Sequence, residues 1–334
     1  AYNTILGYGA LDAATTNAAD NVAIGVNALG GAIAAEAVIN CVTIGSGAMF
    51  GALESEASGT VAVGKQALTA LTTGAGNTAV GYQAGLALTE GLNNTAIGYQ
   101  AFSTENANGD GNTAVGYRAL QDMDSDSNGA GMNTAIGHQS MLELSTGVNN
   151  TAVGKDSLGG AIVTGDNNVA IGVNAGYDST SGEDNVIIGY GAGDDLTTAQ
   201  QCTIVGRGAG SGVMITGGSV PSYADGTVAV GYAALAALTS GAKNTAVGHT
   251  AGAEEVAGND NTMIGYEALH DGGGLANLSN TVIGSGAGGG TWANNASSYN
   301  TIVGQGAMSD AMDGALHNVA VQEIKTLLLG MIQM

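Results

Sequence analysis

The chain has 334 residues, 58 of them glycine, with only 10% charged and 4% aromatic residues but an ordinary 44% apolar content; disorder, which needs low hydrophobicity and high charge, is excluded. Twenty-eight acidic against six basic residues give a net charge of −22, and a surface of that sign repels phosphate backbones, so nucleic-acid binding is excluded too. No apolar run reaches the roughly 18 residues of a membrane-spanning helix, and Cys41 and Cys202 have neither disulfide-framework nor zinc spacing.

One short unit is already running by Asn3, with no secretory leader before it, so the chain is read as a fragment or processed product. The unit is Asn-Thr-Ala-Ile/Val-Gly-x-x-Ala-Leu, as in Asn94-Thr95-Ala96-Ile97-Gly98 and Asn112-Thr113-Ala114-Val115-Gly116. Seventeen copies run from Gly7 to Gly304, and the spacing of their glycines never falls below 17 residues. A coil of fixed minimal length whose loops only lengthen predicts a parallel β-solenoid over residues 1–310.

Positions are counted here from the repeat glycine. Position −1 is Ile, Val or Leu and position −3 is Thr or Val in all seventeen copies; Ala stands between them in ten. Residues two apart on a strand share a face, so −3 and −1 form one β-branched stripe. With a small residue on the opposite face, both faces read as buried, as in parallel sheets. Position −4 is Asn in thirteen copies, and Cys41, Thr60, Cys202 and Thr227 fill the rest. Stacked asparagines such as Asn77, Asn94 and Asn112 predict a hydrogen-bonded ladder along the coils, with Gly81, Gly98 and Gly116 as its turn residues. In that slot the two cysteines read as small buried substitutes, not reactive thiols.

After the glycine a second short strand is expected. Its first position holds Tyr in seven copies, or Lys65, His138, Lys155, Arg207 and His249, predicting a half-exposed ladder of amphipathic side chains. Its third holds Ala, or Ser at Ser140 and Ser157, and its fourth is either large or glycine. Two aliphatic side chains per coil provide little core against about 1–2 kcal/mol per ordered residue. Packing of the small-residue face on identical neighbours is therefore expected.

The loops carry the remaining candidates. Asp122, Asp124 and Asp126 are spaced like ligands of a calcium loop, but Gly129 sits two places late and no Glu closes it, so a solvated acidic turn is the reading. The longest insertion, between Gly206 and Gly231, holds Pro221 and Tyr223; Trp292 and Tyr299 lie in a later one. Aromatic residues on loops fit contacts with a host glycan or surface protein. No catalytic constellation and no cofactor motif stands out, so the chain is read as structural, not enzymatic. In residues 311–334, Ala320, Ile324, Leu327, Met331 and Met334 follow a heptad seam, predicting a capping or coiled-coil helix.

The copies Gly76-Asn77-Thr78-Ala79-Val80-Gly81-Tyr82-Gln83-Ala84 and Gly111-Asn112-Thr113-Ala114-Val115-Gly116-Tyr117-Arg118-Ala119-Leu120 carry a resemblance. The unit resembles the head repeat of trimeric autotransporter adhesins of the YadA type, and is more similar to repeats of bacteriophage tail fibres, including those of phages infecting cyanobacteria. That resemblance covers residues 3 to about 308 and implies a homotrimer of left-handed parallel β-rolls, in a virion or otherwise extracellular, with other fibre proteins and a host surface as partners. The unit is longer than the adhesin period, and no membrane anchor is read at its C-terminal side, which favours a virion fibre over a cellular adhesin or extracellular filament. An ice-binding solenoid is the third reading. It is disfavoured because the threonine stripe is interrupted by Val22, Val42, Val61, Val169, Val186 and Val228 and is expected to face inward.

Overall fold

The computed structural model describes residues 2–12, 18–32, 38–54, 57–103, 109–123, 131–212, 224–271, 277–290, 297–309, 314 and 316–321. Over these the protein is all-β, a parallel β-solenoid without a helix. It divides into two compact units, Ala1–Gln201 and Cys202–Met334. The first holds eleven three-residue strands, from Thr4–Leu6 to Val186–Ile188; the second holds seven, from Thr203–Val205 to Val319–Val321.

Within each unit every strand pairs in parallel with that of the next coil, slot for slot. Thr78, Ala79 and Val80 stand opposite Thr95, Ala96 and Ile97 in the first unit, and Val228, Ala229 and Val230 opposite Thr245, Ala246 and Val247 in the second. A residue type repeated in the sequence thus becomes a row in space, which is what gives the solenoid its surfaces. The half-copy at Asn318 adds the strand Val319–Val321; Ile324, Leu327, Met331 and Met334 of the expected helix lie outside the described residues.

Two expectations are corrected. The stretch after the repeat glycine is a turn in nearly every coil, not a second strand; Asp122–Met123 and Glu143–Leu144 are the exceptions among the described residues. And the β-branched stripe faces outward. In strand after strand the middle residue is buried while its neighbours are half-buried or exposed: Ala79 is fully buried, whereas Val80 and Ile97 are 37% and 38% exposed. Orientation, not size, decides it: Ile187, Ile204, Met263, Val282 and Ile302 fill the same inner slot and are as buried as Ala79, while positions −3 and −1 are left for the surface.

The core is completed by position +4, and its backbone explains why that position is either large or glycine. Leu29, Leu68, Phe102, Leu120, Met141 and Leu235 all sit there with φ between 49° and 52°, left-handed values that cost an L-residue about 1–2 kcal/mol. Glycine takes them freely. A Leu, Met or Phe offsets the strain by burying its side chain, worth about 1.5–3 kcal/mol, and each of these six is at most 1% exposed. The two solutions interlock, since a Cβ on Gly85 would lie 2.6 Å from Cδ2 of Leu68 in the preceding coil. Leu158 leans over Gly176 and Leu235 over Gly252 in the same way.

The asparagine slot lines the buried side of the wall. Asn94 Oδ1 accepts the Asn112 N–H at 2.8 Å, and the Asn94 amide nitrogen donates to the Gly109 carbonyl at 2.8 Å. Asn77 and Asn94 repeat the first bond one coil earlier, and Asn244, Asn261, Asn280, Asn300 and Asn318 do so through the second unit. Each rung satisfies a buried backbone N–H and a buried carbonyl that the three-residue strands leave over.

Candidate functional surfaces

Outward alternation in this register creates two long rows per coil stack. One is the stripe of positions −3 and −1: threonine or valine beside isoleucine or valine. Val80, Ile97, Ile136, Ile171 and Ile188 are exposed along the first unit, and Val247, Ile264 and Ile283 along the second. Aliphatic side chains half out of water, repeated at the coil spacing without an intervening charge, form the kind of contiguous apolar patch that marks an association surface.

The other row is position +1. Tyr82, Tyr99, Tyr117 and His138 stack face to face with centroids 5.1, 5.5 and 4.9 Å apart, and Tyr232, His249 and Tyr266 do the same at 4.9 and 5.2 Å. Lys65 caps the first ladder, its Nζ 5.9 Å from the Tyr82 ring, and Arg207 caps the second, 6.0 Å from Tyr232. Beside the first ladder Gln100 donates to Gln83 at 2.9 Å, Gln83 to Gln66 at 3.1 Å, and Arg118 Nε to Gln100 at 3.2 Å. Of the chain's six basic residues, Lys65, Arg118 and Lys155 lie in or next to this row in the first unit and Arg207 in the second. His138 and His249 are rungs of these ladders.

The loop candidates fare differently. Asp122 is half-buried and stands opposite Glu143 in a parallel pair, while Asp124 and Asp126 lie outside the described residues, as do Pro221, Tyr223 and Trp292. Tyr299 is exposed and stacks on His317, centroids 4.9 Å apart and planes within 6°.

Both cysteines are buried. Burial raises the Cys41 thiol, although the backbone amides of Thr60 and Gly59 point at its sulfur; burial likewise pushes Cys202 to about 11. Thiolate is the reactive form. Neither residue is therefore expected to react with a disulfide reagent at pH 8 in the native protein, with both titrating once urea unfolds it; prompt native reaction of either would contradict the placement.

Slot alignment also exposes groups that a search for motifs passes over. Position +7 is a core position held by Leu71, Leu88, Leu196 and Leu238, yet in one coil it is Glu255, which is fully buried. Burial pushes its carboxyl up to about 7, a rise only partly offset by Asn277, whose side-chain amide donates to Oε2 at 2.9 Å, and by nearby backbone amides. Immediately outside that coil, Glu254, His270 and Asp271 converge, with one possible ligand atom from each within 4.8 Å of the others. No helix among the described residues is long and apolar enough to cross a membrane. Set against known proteins, the chain matches no family model and no curated sequence.

Proposed function

We propose that this chain forms part of a structural and adhesive fibre, a homotrimer of left-handed β-rolls projecting from a virion in the manner of a tail fibre, with no catalytic role. One observation carries the reading: the β-branched stripe points outward along the coils of each unit. A monomer would leave those rows in water. Covered by the same rows of two further copies, they lose their apolar exposure without placing any charge in the interface. The tyrosine ladders beside the stripe add the aromatic content typical of interface cores. The sequence resemblance, the net charge of −22 and the stacking of one repeated unit support a long, soluble, extracellular object.

The decisive measurement is the mass in solution by sedimentation equilibrium. The wild-type protein is expected to be a trimer, and the double variant Ile97→Asp, Ile136→Asp to be a folded monomer or to lose at least about tenfold in association, since each carboxylate would be buried unpaired. A wild-type monomer overturns the reading. A monomer that also shows thermal hysteresis establishes instead the ice-binding solenoid, which the outward-facing threonines favour more than the sequence suggested. Antibody labelling of intact particles then tests the virion assignment.

A further inference from the structure

We propose that Glu254, His270 and Asp271 form a binding site for one divalent transition-metal ion of the zinc type. Glu254 occupies position +6 of its coil, and His270 and Asp271 occupy +5 and +6 of the next. Their spacing is set by the backbone: the Glu254 N–H donates to the His270 carbonyl at 3.1 Å, so two carboxylates fall in one slot of adjacent coils with an imidazole beside them. Tetrahedral ligands at about 2.0–2.1 Å stand roughly 3.4 Å from one another. The observed separations, all within 4.8 Å, close to that with a shift of about an ångström. Such a shift is open to one exposed and two half-buried side chains. One nitrogen and two carboxylate oxygens suit zinc, cobalt or nickel better than calcium, which takes an all-oxygen shell.

The arrangement calls for a cation on its own account. Like charges directly opposite in a ladder repel, yet position +6 carries acidic residues on adjacent coils three times: Asp122 with Glu143, Asp178 with Asp195, and Glu254 with Asp271. Elsewhere the slot mostly holds alanine or glycine, as at Ala70, Ala87, Ala237, Gly51 and Gly212. In the second pair burial first and then the neighbouring Asp195, to which it is hydrogen-bonded, raise the Asp178 carboxyl above its ordinary value. Among the described residues the third pair alone has an imidazole beside it. There His270 Nδ1 and Asp271 Oδ1 lie 2.6 Å apart. Neither Glu254 nor His270 belongs to the outward stripe, so the proposal stands whatever the oligomeric state.

Cobalt(II) titration of the full, metal-stripped chain tests it, followed by d–d absorption and by competition with zinc. One ion per chain is expected. His270→Ala should weaken binding about 100-fold and Glu254→Gln about tenfold, while Asp178→Asn, which removes an acidic pair lacking an imidazole, should leave it unchanged. Thermal melting of the three variants confirms that each is folded. Absence of saturable binding below about 1 mM overturns the proposal. So does binding that survives His270→Ala or falls equally with Asp178→Asn, since either result reports diffuse attraction to an acidic chain.

Discussion

Replacing Gly98 by alanine is expected to lower the unfolding free energy by more than about 3 kcal/mol, whereas Gly59→Ala costs about 1 kcal/mol. Both glycines have positive φ, but 71° at Gly59 lies near the left-handed values other residues of this chain adopt, whereas 135° at Gly98 is taken by glycine alone. Space widens the difference. A Cβ on Gly98 would stand 2.7 Å from the carbonyl carbon of Gly116 in the next coil and closer still to its oxygen, while nothing lies within 4 Å of one on Gly59. The obstacle cannot move aside, because the Gly116 N–H is tied to the Ile97 carbonyl at 2.8 Å and a shift would break that rung and pass along the stack. In a solenoid whose coils are stabilised by their neighbours, one displaced coil weakens both interfaces. Urea unfolding followed by far-UV circular dichroism measures both variants. Equal losses would mean that the coils are not held at the observed separation.

The repeat glycine illustrates what was legible without coordinates. Its recurrence at a floor of 17 residues specifies stacked coils, and the asparagine at −4 specifies a buried ladder, because each demand falls on one residue type in nearly every copy. Orientation was harder. Isoleucine at −1 and alanine at −2 look like a core residue and a filler, and in a broad sheet they would be. Here position −2 points inside whether it holds Ala79 or Ile187, and Val80 is left outside, which sequence hydropathy does not encode. The turn after the glycine was also unreadable, since Leu68 and Gly85 in one slot look contradictory until the shared left-handed backbone is known. Glu254, His270 and Asp271 fall together only when the coils are aligned on that glycine; by linear distance they are unremarkable.

The ladder makes a graded demand on its side chains, and Asn94 is where to measure it. Asn94→Ala is expected to cost about 3–5 kcal/mol, because it strips two buried partners at once: the Asn112 N–H loses its acceptor and the Gly109 carbonyl its donor. Asn94→Cys is expected to cost about 1–2 kcal/mol. The protein already makes that exchange twice. At Cys41 the sulfur faces the Thr60 amide in place of an asparagine oxygen, and the S–H reaches the Ala57 carbonyl at 3.6 Å; at Cys202 the corresponding contact with the Ala224 carbonyl is 3.2 Å. Longer, softer bonds keep both partners occupied, which an alanine methyl does not. Isosteric Asn94→Asp should be the worst of the three at neutral pH, since it keeps the acceptor but buries a carboxylate where an amide donated. The same denaturation series ranks the variants. A cysteine as damaging as alanine would show that the ladder needs the amide itself, and that Cys41 and Cys202 are tolerated only because Thr60 and Thr227 follow them in the next coil. Those threonine hydroxyls are buried without a partner, so the two cysteine–threonine steps are the places where the ladder is weakest and where its opening should begin.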